Sequence, residues 1–222
     1  MKNKKDIDEV LKSYECLSKA DTIDWVQTAE EQACFYRMER AAERYAKKFF
    51  CLLSGRDIEK YETNLPIVFK SNLEIIYTGL HGAGYIQGQF YKSTFTDKQS
   101  AIYIVLPVRS KMSYLHKSLK STIRHELIHY YLFLHDLPYK DNEGLFWAYN
   151  YIFDAEAYDP MSESDSVKYN RFIEIYERDG KNASYNDLQT LAEAIMLDDD
   201  ELFHQWEMLI KWRNEMSKSL EK

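Results

Sequence analysis

The chain has 222 residues and a mass of 26.5 kDa, with 45% hydrophobic and 29% charged residues. That is enough for one or two packed domains, and too apolar for a disordered or collagen-like chain. The net charge of -7 is unevenly spread: residues 1–62 hold 12 basic and 13 acidic side chains, 63–125 hold 8 and 2, and 126–222 hold 9 and 21. The N-terminus has no apolar stretch of signal-peptide length and no apolar run is long enough to span a bilayer, so neither export nor a membrane span is expected. Cys16, Cys34 and Cys51 form neither a disulfide framework nor a thiolate zinc site. A cytoplasmic location is the expectation.

Three regions are expected: an N-terminal helical region over 1–62, a core over 63–160 and an acidic helical region over 161–222. In the first, Phe35, Met38, Ala42, Tyr45 and Phe49 recur at three-to-four spacing within Ala29 to Leu53, which contains no Gly or Pro, and Gly55 lies just past the end. After Pro66 short β-rich runs follow, Ile67 to Phe69 and Ile75 to Tyr77, and four glycines between Gly79 and Gly88 punctuate a hairpin-like stretch. Ala101 to Leu106 is the clearest strand, apolar on both faces and closed by Pro107. It is either a buried central strand or an edge for an extended peptide.

A helix is predicted from near Ser110 or Ser113 to about Leu134, with Leu115, Leu119, Ile123, Leu127 and Leu134 on its apolar side. Further helices are predicted over 142–154 and Ser162 to Tyr176. A capping-box-like Ser184-Tyr185-Asn186-Asp187 precedes one over Leu188 to Met196, and Asp198 to Asp200 supply the acidic first turn of a last one. The block holding Lys70, Lys92, Lys98, Arg109, Lys111, Lys117, Lys120 and Arg124 is either a steering surface for an anionic partner such as nucleic acid or a solvated face balanced by the acidic tail.

The chemistry lies in His125-Glu126-Leu127-Ile128-His129, an HExxH. Histidines four apart share one helical face, so both imidazoles reach one metal ion, and the glutamate beside the first is placed at its water. Zinc suits two imidazoles with an open water position, and Glu126 is then the general base. With six histidines and twenty glutamates in 222 residues, chance supplies this motif in about 0.01 of such chains, composition being the first prior. A third ligand must come from downstream. His135 points roughly 80° away from the pair and lies too far along the axis, which leaves Asp136, Asp141, Glu143, Glu156 and Asp159. One hydroxyl of Tyr130, Tyr131 or Tyr139 could steady an oxyanion, although ordinary packing explains these rings equally well.

His125 to Leu132, followed after a short turn by Glu143-Gly144-Leu145-Phe146-Trp147, resembles the SprT-like and Spartan zinc metalloproteases. In that family an HExxH helix precedes a His-Gly-x-x-aromatic segment whose histidine is the third ligand. Upstream, Gly79 to Tyr85 and the strand Ala101 to Leu106 are similar to the family's glycine-containing strand pair, so the resemblance covers about residues 66–160. It implies an α+β, zincin-like fold: a small mixed sheet, the HExxH helix, a ligand-bearing helix, and terminal helical additions. It also implies a zinc-dependent protease acting on protein or peptide substrates. Glu143 stands where the family has histidine, which makes His125, His129 and Glu143 the favoured ligands, with Asp141 or Glu156 as alternatives. The family often carries a C-terminal four-cysteine zinc ribbon as well; with no cysteine after Cys51, DNA binding through such a ribbon is not expected. The rival readings are a non-catalytic, metal-binding interaction module and a DNA-associated protease that uses the basic block 63–125.

Overall fold

The structure is a computed structural model that describes residues 29–55, 65, 67–71, 88–91, 101–106, 117–157, 160–180 and 183–220. Its elements in chain order are α1 (Ala29–Leu53), β1 (Ile67–Ser71), β2 (Gly88–Tyr91), β3 (Ala101–Leu106), α2 (Lys117–Leu134), α3 (Gly144–Ile152), α4 (Glu163–Asp179), α5 (Tyr185–Met196) and α6 (Asp200–Leu220). The expectations that rest on Cys16, on the runs 75–87 and 107–116, and on Lys92, Lys98, Arg109, Lys111 and Asp159 lie outside the described residues.

The expected α+β class, with a small mixed sheet at its heart, is overturned: the described chain is mostly helical, and its three short strands are a minor part of it. Six helices of 25, 18, 9, 17, 12 and 21 residues stand against strands of only 5, 4 and 6. The physical reason lies after residue 160. The helices α4 to α6, expected as additions to a core, themselves form a large apolar interior: α5 packs on α3, α4 and α6, and α4 also packs on α3. Phe172, Leu191, Ala192 and Trp206 are buried there, each large apolar side chain contributing about 1.5–3 kcal/mol.

The chain divides into two compact units, residues 1–47 with 63–126 and residues 48–62 with 127–222, the division falling inside the continuous helix α2. In the first unit β3 pairs parallel with β1 and antiparallel with β2, Ile102 lying opposite both Ile67 and Phe90. Paired on both sides, β3 offers no edge to a peptide. Ile102 and Ile104 are fully buried, as the continuous apolar run requires.

Within α1, Met38, Ala42 and Ala46 are buried, a stripe of four-residue spacing. Gly55 follows with φ +61, the left-handed conformation that favours glycine, and a Cβ there would press on the Asn186 side chain at 3.1 Å. In the second unit Phe50 meets the ring of Tyr130 at 5.7 Å and Phe49 that of Phe153 at 5.5 Å. The Gln189 amide donates to the Leu53 carbonyl at 3.0 Å, which ties the end of α1 to α5.

The helix ends show why the local reading succeeded where it did. Ser162 caps α4 by accepting from the Asp165 N–H at 3.2 Å. Ser184 and Asp187 form the expected reciprocal capping box on α5. Asp199 accepts from the Leu202 N–H at 2.9 Å at the start of α6. The helix α2 ends with Asp136 at φ 55, the Leu137 N–H donating to the Leu132 carbonyl at 2.9 Å and the Asp136 N–H to Phe133 at 3.2 Å. That left-handed ending throws the chain into the turn 135–143, which carries the rest of the site.

Candidate metal centre

The helix α2 is buried on most of its surface, with Leu119, Ile123, Leu127, Ile128 and Leu132 enclosed together with the polar Ser121 and Thr122. Set into it are His125, Glu126 and His129, only 6%, 4% and 6% exposed. Burying two imidazoles and a carboxyl within five residues is costly unless each finds polar partners or an ion. All three have partners in the structure.

The ligand atoms of His125, His129 and Asp141 lie within 4.8 Å of one another, a group that can hold a metal ion. The Nε2 atom of His129 is 3.3 Å from the Asp141 carboxylate. On the other side of that ring Nδ1–H donates to the Tyr139 carbonyl, which places a proton on Nδ1 and turns Nε2 toward Asp141. A ligand imidazole is ordinarily held in this way, by a backbone acceptor behind it. Beneath the ring, Phe146 of α3 stacks with centroids 3.9 Å apart and planes 16° from parallel. Tyr139 packs its own ring edge-on against Phe133 at 5.6 Å.

The turn carrying Asp141 is closed by its own backbone and by α3. The Lys140 N–H donates to the Glu143 carboxylate at 2.7 Å, and the Glu143 N–H donates back to the Lys140 carbonyl at 3.0 Å. The indole N–H of Trp147 donates to the Asp141 carbonyl at 2.8 Å. Asp141 itself is 39% exposed, so the group is closed on its histidine side and open at the carboxylate.

Of the residues expected at the site, the structure brings His125, His129 and Asp141 together with Glu126 on the same helix, and Asp141 takes the place in the group expected for Glu143. Glu143 precedes the first turn of α3 as its N-cap, with its carboxylate turned back onto Lys140. Spacing alone did not separate the two acids, because residues 141 and 143 lie in one turn whose path the helix ending at Asp136 decides. Glu156 is an exposed residue after α3 and no member of the group, and His135 packs against the Tyr131 ring at 4.4 Å. Tyr131 also meets Tyr149 at 6.0 Å. The roles of the Tyr139 carbonyl, the Phe146 ring and the Trp147 indole were not anticipated; the aromatic pair following Gly144 is the one local signal that pointed at them. Of the basic block, Lys120 lies over the Tyr45 ring at 5.7 Å, and the Arg124 guanidinium donates to the Lys120 carbonyl at 3.3 Å. Among the described residues no helix is long and apolar enough to cross a membrane.

No protein family, curated protein or solved structure matches the chain.

Proposed function

We propose that this protein is a zinc-dependent metallopeptidase acting on protein or peptide substrates. The reading is carried by one observation: two histidines of an HExxH helix and a carboxylate from the following turn converge within 4.8 Å. Two imidazole nitrogens and one carboxylate oxygen form a donor set that suits catalytic zinc, which keeps a fourth position for water or substrate. Zinc bound there supplies polarisation of the scissile carbonyl and lowers the pKa of water to about 7. His125, His129 and Asp141 hold the ion, and the Tyr139 carbonyl fixes the tautomer of His129. Glu126, next to the first ligand and 4% exposed, takes the proton of the attacking water and returns it to the leaving amine. The open Asp141 side is where a polypeptide enters. The HExxH helix and the Gly144 to Trp147 segment that resemble the SprT-like proteases support the same reading.

The test is elemental analysis and cleavage of an unfolded polypeptide by the full chain and its Glu126→Gln variant. The expected result is about one zinc per chain in both, with turnover reduced by at least about 10²-fold in the variant, the contribution of a general base. A Glu126→Gln protein that cleaves as fast as the parent would refute the mechanism, and a parent that binds no zinc when zinc is offered would refute the metal site.

A further inference from the structure

The turn between α2 and α3 performs two tasks that coordination chemistry normally divides between separate segments. Its Tyr139 carbonyl accepts from His129 Nδ1–H behind the ring, and two residues later Asp141 presents its carboxylate 3.3 Å from Nε2 on the front of the same ring. The position of this turn therefore sets both the orientation of one ligand and the placement of another. Asp141 is half-exposed, and the side chains that hold its segment come from beyond it. The Glu143 carboxylate and backbone N–H close the stretch 140–143 in both directions, and the Trp147 indole holds the Asp141 carbonyl. Both are anchored by α3, since the Trp147 N–H also donates to the Glu143 carbonyl at 3.2 Å.

We infer that Glu143 and Trp147 are positioning residues: together they clasp the turn so that Asp141 and the acceptor of His129 are presented to the metal as one unit. The inference rests on the metal reading above. It accounts for a carboxylate placed next to the site but directed away from it, and for an indole one turn into α3 whose single donor is spent on a loop carbonyl. Partners bonded directly to a ligand side chain are worth about 10- to 100-fold in affinity; Glu143 and Trp147 hold the backbone behind such groups, so the low end, about 10-fold, is expected.

The experiment is zinc affinity by competition with a chromophoric chelator on the full chain and on Glu143→Ala, Glu143→Gln, Trp147→Phe and Asp141→Ala, with far-UV circular dichroism to establish folding. Glu143→Ala and Trp147→Phe should bind zinc about 10-fold more weakly. Glu143→Gln keeps an oxygen acceptor for the Lys140 N–H and should bind like the parent. Asp141→Ala should lose more than either positioning variant. Should Trp147→Phe fail to fold, the Glu143 pair decides. Parental affinity in Glu143→Ala would overturn the clasp and leave the metal site standing. Glu143→Gln as weak as Glu143→Ala, with Asp141→Ala unaffected, would overturn it by making Glu143 a ligand. A parent that binds no zinc would remove both the clasp and the site.

Discussion

Phe146 is where the stability of the helical unit and the order of the site meet, so its truncation tests both. The side chain is fully buried, and its ring lies 3.9 Å from the His129 ring, nearly parallel to it. Phe146→Ala removes the transfer energy of a buried phenyl and leaves a cavity between α2 and α3, together worth about 3–5 kcal/mol. For a chain of this size each kcal/mol moves the melting temperature by about 2–4 °C, so a fall of roughly 6–20 °C is expected. The imidazole would also lose the surface that limits its tilt, so the stabilisation gained on adding zinc should shrink. Ligand at 100 times its dissociation constant adds about 2.7 kcal/mol, and every tenfold loss of affinity takes about 1.4 kcal/mol from that. Thermal unfolding followed by circular dichroism, with zinc and with a chelator, reads both quantities. A cost under about 1 kcal/mol without metal would refute the packing argument. A large cost with an undiminished zinc shift would show that the ring supports the fold and not the ligand.

Asp187 is buried at 6% exposure and accepts from the Ser184 N–H and hydroxyl, each at 2.6 Å, as well as pairing with Arg213 of α6. Asp187→Ala removes the reciprocal half of the capping box, a charged acceptor worth about 1 kcal/mol, and strands a half-buried guanidinium. A total near 3 kcal/mol is expected, toward the low end for a broken buried pair because Arg213 is 32% exposed. Denaturant unfolding checks it, and a double-mutant cycle with Arg213→Ala should show strong coupling. A second expectation concerns pH. Burial holds the Glu193 carboxyl above its ordinary 4.5, partly offset by the Tyr149 hydroxyl that donates to it at 2.5 Å. A carboxyl raised on folding contributes stability that is full below the ordinary value and lost as pH rises through the raised one. Glu193→Gln should therefore flatten the pH dependence of the melting temperature above about pH 4.5, while the hydroxyl keeps an acceptor; an unchanged slope would remove Glu193 as its source. Tyr149, pushed up chiefly by burial and then by Glu193, stays protonated through that window and adds nothing to it.

Local chemistry was legible wherever a feature is completed within a few residues. The HExxH spacing, the Ser184–Asp187 capping box, the stripe of α1 and the apolar run of β3 each depend on a helical or strand period that the chain carries with it. The left-handed ending of α2 was not legible, because aspartate is only tolerated at positive φ and nothing nearby demands it there. That one residue directs the turn, and the turn brings Asp141 into the group while Glu143 clasps the backbone; two acids of identical charge and nearly identical position are told apart only by the path between two helices. The class of the fold escaped for the same reason on a larger scale. Short strands and amphipathic helices were both readable one by one, but which of them share an interior depends on contacts such as that of Gln189 with Leu53, 136 residues apart. The sequence by itself determined the presence of the two imidazoles, the glutamate beside the first and the helix that aligns them. Only the tertiary structure decided which carboxylate joins them, because side-chain periodicity acts over one or two turns and the closing of a site is a matter of packing between elements.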